Sequence, residues 1–118
     1  MHLLKSIKSF RYALKGLKYV FRENNMQFHI LAAILVSVAG FYFQLQISDW
    51  LWICSAIFMV FISETLNTAI EYLVNLISPE YNPIAGKIKD LSAGAVLLAA
   101  LYALLVAALI FVPKLVQS

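Results

Sequence analysis

Charge is scarce in this chain. Asp, Glu, Lys and Arg together make up 13% of its 118 residues, while apolar residues make up 63%. A water-soluble domain sits near about one quarter charged and one half apolar, so the surplus apolar surface must face something other than water. Cysteine is limited to Cys54, inside an apolar run, which excludes an intrachain disulfide framework. With only four glycines and three prolines, the chain has no flexible linker, and no internal repeat is visible. Its length leaves room for one domain. No glycine loop of the Walker or protein-kinase type is present, so any nucleotide site must be built differently. The N-terminus lacks the continuous apolar core of a signal peptide, because Lys5, Lys8 and Arg11 interrupt its apolar residues. No soluble face exists to carry a basic patch, so nucleic acid is not an expected partner.

What the chain does have is apolar periodicity. Leu3, Ile7, Phe10, Leu14, Leu17 and Phe21 step by fours and threes, which places them on one stripe of a helix over residues 3–22. Lys5, Lys8, Arg11, Lys15, Lys18 and Arg22 fall on an adjoining stripe. A helix of this kind lies in the membrane interface, with lysines toward phosphate and leucines toward acyl chains. Three long apolar segments follow, at about 28–43, 50–77 and 91–112. The second opens on Trp50 and Trp52, whose amphipathic rings favour an interface, and ends at Ser78-Pro79. Glu80 to Asp90 reads as a polar loop punctuated by Pro83 and Gly86, and the third segment is expected to stop at Pro113. The predicted fold class is therefore an all-α membrane protein, with an interfacial amphipathic helix and three transmembrane helices. Basic residues cluster before the first span and in the second loop (Lys87, Lys89), whereas the 44–49 turn has none. The positive-inside rule then puts the N-terminus and second loop in the cytoplasm and the C-terminus outside the plasma membrane. Small residues recur every four positions in the third span (Ala95, Ala99, Ala103, Ala107), making a close-packing face.

The most informative residues are Glu64 and Glu71. An ionisable group at the centre of a membrane helix costs roughly 2.5–3.5 kcal/mol on insertion scales, and a purely structural role rarely justifies two. They are seven apart with Asn67 between them, so all three share one narrow arc, flanked by the hydroxyls of Ser63 and Thr68. Glu71 should lie near the cytoplasmic interface and Glu64 deeper. Interhelical hydrogen bonding and an ion or proton path are two other readings of this face. The string Gly86-Lys87-Ile88-Lys89-Asp90 adds a cation for phosphate, a carboxylate, and a glycine where backbone can approach a ligand. Together the two features supply what phosphoryl transfer needs: carboxylates for magnesium, a cation for phosphates, and a buried base for an acceptor hydroxyl. His29 and His2 read as interface residues, since no second nitrogen ligand has the spacing for zinc.

The run Glu64-Thr-Leu-Asn67-Thr-Ala-Ile-Glu71, followed by Glu80-Tyr81 and Gly86-Lys-Ile-Lys89-Asp90, resembles the small prokaryotic integral-membrane diacylglycerol kinase and undecaprenol kinase family. The resemblance extends from Lys15-Gly16-Leu17 to the end of the third span. It implies a homotrimer with active sites shared between subunits at the cytoplasmic interface, Mg-ATP as phosphoryl donor and a membrane lipid alcohol as acceptor. It further implies Glu64 as general base with Asn67 as its polar partner, and Glu23 and Glu71 as the carboxylates that hold the metal. Lys89, Asp90, Gly86, Glu80, Asn75, Lys5 and Tyr12 form the expected nucleotide-contacting set. Asn75 stands where the family usually has an aspartate. Glu23 otherwise reads as a helix-end carboxylate near Arg22. The stretches Glu23–His29 and Phe111–Leu115 resemble the undecaprenol branch more than the diacylglycerol branch.

Overall fold

A computed structural model of the chain describes residues 2–117. It is built of four helices and contains no strand among the described residues: α1 (His2–Val20), α2 (Asn24–Tyr42), α3 (Ile47–Ile77) and α4 (Pro83–Gln117). Three of them, α2, α3 and α4, are long and apolar enough to cross a membrane. At 1.5 Å per residue, the 31 residues of α3 extend about 46 Å, against a hydrocarbon core of about 30 Å. Counting about 20 residues from the Trp50 ring brings the opposite membrane interface close to Glu71, with Glu64 about 10 Å deeper.

The leucine-rich stripe of α1 does not dock on the bundle. Leu3, Phe10 and Leu14 remain 73%, 66% and 51% exposed, as an interfacial helix requires, and only Val20, next to the turn into α2, is buried. In the bundle α3 is the central helix. A third (33%) of its most apolar stretch is buried, against 11% for α2 and α4. It packs chiefly along α4, while α2 and α1 rest on it more lightly. The core lies toward the end away from α1, where Leu45, Ile53, Ala56 and Val106 are buried together under Trp50, Tyr102 and Phe111. The molecule measures 54 × 44 × 20 Å, so it is only about two helix diameters thick.

Two turns set the geometry. After α2, Leu45 N–H donates to Gly40 O (3.2 Å) and Gln44 N–H to Phe41 O (3.2 Å), with Gln44 at φ 52°. This is a Schellman closure, with glutamine in the left-handed position that glycine usually fills. Gly40 is required for a different reason. A Cβ there would stand 2.6 Å from the Trp50 ring and 3.1 Å from Leu45. Before α4, the Asn82 side-chain oxygen accepts from Ile84 N–H (2.8 Å) and Ala85 N–H (3.4 Å), an N-cap with Pro83 in the first helical position.

Five helix boundaries differ from the segments expected. The surface helix ends at Val20, and Phe21 and Arg22 form a turn with Glu23 closing it. Helix α2 starts at Asn24, ahead of the apolar segment expected from about residue 28, and α3 at Ile47, ahead of Trp50. The predicted 80–90 loop is largely helix, because the Asn82 cap starts α4 at Pro83. Nor does α4 stop at Pro113. Proline removes one backbone donor, and the helix continues to Gln117 past that loss.

Candidate active site

Glu64, Asn67 and Glu71 project from one side of α3, and the structure brings them together as the spacing requires. Glu64 is 3% exposed and Asn67 4%, whereas Glu71 is half-buried. Asn67 Nδ2 donates to Glu71 Oε1 at 3.0 Å. Its Oδ1 accepts from Ser92 Oγ of α4 at 2.5 Å. The amide is thereby oriented at both ends, with its nitrogen toward the carboxylates and its oxygen toward α4. Ser63 and Thr65 contribute nothing here, because their hydroxyls donate to the α3 carbonyls of Val60 (2.9 Å) and Phe61 (2.7 Å).

Glu23 arrives from the α1–α2 turn. Tyr72, the residue after Glu71, donates its phenolic O–H to Glu23 Oε1 at 2.5 Å, so the turn is tied to the shallow end of the acidic face. Among the described residues no group of three or more His, Cys, Asp or Glu side chains forms a ready-made metal cage. Magnesium does not need one. It is usually held by one or two carboxylates together with substrate phosphates, and the Glu23–Glu71 pair fits that donor set. On α4, Lys89 reaches back to α3, where Nζ donates to Asn75 Oδ1 at 2.6 Å. Lys89 and Asn75 are therefore neighbours, and Asp90 is exposed on the first turns of the same helix. A Cβ at Gly86 would meet nothing within 4 Å, so the backbone there is open to approach.

The remaining expected contacts are not gathered in. Glu80 is exposed in the α3–α4 turn, where its backbone carbonyl accepts from Ser78 Oγ. Lys5 is exposed on α1, and Tyr12, 65% exposed, lies under the Lys15 ammonium at 6.0 Å. Neither lines the groove at the acidic face.

That groove, of about 370 Å³, runs between α2 and α4 over α3, with Asn25 and Glu71 in its wall beside Glu64 and His29. A second hollow of about 310 Å³ shares Phe28, His29 and Ala100 with it and continues along the bundle past Ala33, Val36, Val60 and Leu104. Its lining carries no polar side chain except His29. One open track therefore leads from a polar mouth to a wholly apolar channel. This is the shape needed by a molecule with a small polar head and a long hydrocarbon tail.

A sequence profile described as prokaryotic diacylglycerol kinase matches residues 11–111, nearly the whole chain and all of this track. The chain belongs to the prokaryotic diacylglycerol kinase family. Its relatives include an undecaprenol kinase of Bacillus subtilis, 42% identical over 96% of this chain and 93% of that protein. A diacylglycerol kinase of Synechocystis is 36% identical over 92% of this chain, which spans 63% of that relative's length. A diacylglycerol kinase of Escherichia coli is 31% identical over 84% of this chain and 82% of its own. The chain is accordingly a multi-pass membrane lipid kinase, a phosphotransferase with an alcohol acceptor. Family membership establishes phosphoryl transfer as the activity of the chain.

The sequence reading took His29 for an interface residue, whereas the structure sets its Nε2 3.5 Å from Glu64 Oε2. The signal was present, since an ionisable ring inside an apolar helix is a functional candidate by default. It also missed Tyr72 and Ser92, for which the sequence offers no comparable signal.

Proposed function

We propose that this lipid kinase transfers the γ-phosphoryl group of Mg-ATP to the primary hydroxyl of undecaprenol. The observation that carries the reading is the continuity of the track, from carboxylates at its mouth, past buried Glu64, into a channel with no hydrogen-bond donor beyond His29. Diacylglycerol would bring two ester carbonyls into a site with almost nothing to pair them, whereas a prenol brings none. The 42% identity to an undecaprenol kinase supports the same choice.

In this mechanism the prenyl tail occupies the apolar channel, and its hydroxyl stops beside Glu64. The Glu64 carboxylate takes the hydroxyl proton as the oxygen attacks the γ-phosphorus and the bond to the β-phosphate oxygen breaks. Asn67, fixed by Ser92 and Glu71, keeps the two carboxylates apart and oriented. Glu71 and Glu23 would hold a magnesium ion, which would supply positive charge to neutralise the nucleotide phosphates. Lys89 exchanges its Asn75 partner for a phosphate oxygen as a point charge, while Asp90 and the open backbone at Gly86 contact the nucleotide. Holding a lipid and a water-soluble nucleotide side by side at the interface is the main catalytic gain open to so small a protein. The basic residues of α1 set the mouth on the cytoplasmic face. A slab two helices thick leaves one wall of the track open, and neighbouring subunits of a homotrimer close it.

The roles separate on purified protein. Glu64→Gln preserves shape but accepts no proton, so turnover should fall by about 10²–10⁴ while Mg-ATP still binds. Glu71→Gln should instead raise KM for Mg-ATP. Near-normal turnover of Glu64→Gln would remove the general-base assignment.

A further inference from the structure

Glu64 has a difficulty that its burial creates. A base that takes a proton in every turnover must also release it, and this carboxylate is 3% exposed inside a membrane helix. Its surroundings limit the routes. On α4 the groove is lined by Ala93, Val96, Leu97 and Ala100, which carry no ionisable group. On α3, Glu71 is separated from Glu64 by Asn67, whose amide already donates to Glu71 and is no proton carrier. The neighbouring hydroxyls of Ser63 and Thr65 are turned onto backbone carbonyls. On α2 stands His29, its Nε2 3.5 Å from Glu64 Oε2 and its side chain 15% exposed. This distance exceeds that of a formed N–H···O bond, about 2.7–3.2 Å. A small rotation of either side chain brings the two atoms into hydrogen-bond contact.

We propose that His29 is the proton outlet of Glu64, a positioning residue that acts through the base and not on the substrate. Resting on the general-base reading, the sequence of events balances as follows. The acceptor O–H bond breaks and its proton passes to Glu64 as the new P–O bond forms. Protonated Glu64 then donates to His29 Nε2, closing the 3.5 Å gap. The resulting imidazolium releases a proton from Nδ1 to water at the groove mouth, near Asn25. One proton leaves per lipid phosphorylated; Glu64 is again ionised, and the ring, left with its proton on Nε2, regains the Nδ1–H tautomer by exchange with water before the next turnover. Histidine suits the step because its ordinary pKa lies near neutrality and its ring has two nitrogens.

The test compares His29→Ala and His29→Gln, each checked for assembly by size-exclusion chromatography and for Mg-ATP binding, with Glu64→Gln run in parallel. Glutamine can hydrogen-bond to Glu64 but cannot carry a proton. Both His29 variants should lose at least about tenfold in kcat with little change in KM for Mg-ATP. Added imidazole should restore His29→Ala in a concentration-dependent way, and pyrazole, of the same size but far less basic, should not. Full kcat in His29→Gln, or a His29→Ala deficit that imidazole leaves untouched, would overturn the proposal. An inactive Glu64→Gln beside a fully active His29→Gln removes the role of His29 alone. An active Glu64→Gln removes the base reading beneath it.

Discussion

Asn67 can act only if its amide faces the right way, and two partners decide that. Glu71 accepts from its nitrogen and Ser92 donates to its oxygen. With both ends engaged, a flipped amide would set oxygen against carboxylate and nitrogen against a hydroxyl that has Lys89 O as its alternative acceptor at 3.1 Å. Ser92→Ala deletes one anchor and leaves a buried carbonyl oxygen unpaired. A hydrogen bond of this kind contributes about 0.5–1.5 kcal/mol net, which corresponds to a loss in kcat of up to about tenfold. Ser92→Thr keeps the hydroxyl and should recover most of that loss, with Mg-ATP affinity unchanged throughout. Equal kcat in Ser92→Ala and the parent protein would show that the amide holds its orientation without α4.

Among the elements, the α2–α3 hairpin depends on a glycine for contact and not for backbone freedom. The Trp50 ring lies against Gly40 and within 4.9 Å of the Phe41 ring, which leaves no space for a methyl group. Gly40→Ala should destabilise the protein by about 1–3 kcal/mol, seen as a lower midpoint of thermal inactivation in detergent. Pairing it with Trp50→Leu should relieve part of the loss, and an undiminished midpoint for Gly40→Ala would mean that the ring moves aside freely. The helices themselves were legible in the sequence, because apolar runs bounded by Trp50 and Ser78-Pro79 leave few alternatives. The start of α4 was legible too, yet it was misread. Asn82-Pro83 is an N-cap followed by a helix-compatible proline, but the charges at Lys87, Lys89 and Asp90 make the segment look like a loop. As helix it presents Lys89 toward Asn75 across the bundle, a contact that no loop reading contains. The pairing of Glu64 with His29 was out of reach for the same reason. Periodicity places residues on the face of one helix, and only packing brings the faces of α2 and α3 together.

At the scale of the whole molecule, charge and apolar surface address different questions. Orientation rests on basic residues outside the spans: six precede α2, two open α4 and only Lys114 lies near the far end. Lys114 sits 4.0 Å from Asp49, a half-exposed pair that adds little stability. A reporter active only in the cytoplasm should therefore work when fused before Met1 and fail after Ser118, and activity at both ends would exclude the three-span path.

Acceptor choice depends on the apolar track, and there the chain's scarcity of polar groups becomes specific. Both lipids present a primary hydroxyl at the interface, and aliphatic walls discriminate weakly between their tails. The difference lies in the two ester carbonyls of diacylglycerol, which are hydrogen-bonded in water and would enter a channel where His29 is the sole polar side chain. Each unpaired carbonyl costs about 1–3 kcal/mol, and one missing partner is enough for about a tenfold preference. In mixed micelles holding undecaprenol and diacylglycerol at equal mole fraction, undecaprenyl phosphate should be the main product by about that factor. Introducing a donor into the channel with Ala33→Ser or Val36→Thr should narrow the ratio by raising diacylglycerol turnover, provided the new hydroxyl is not taken up by its own helix backbone as Ser37 is by Ala33 O. Preferential phosphorylation of diacylglycerol by the unaltered protein would reverse the choice of acceptor while leaving the family, the acidic face and phosphoryl transfer in place.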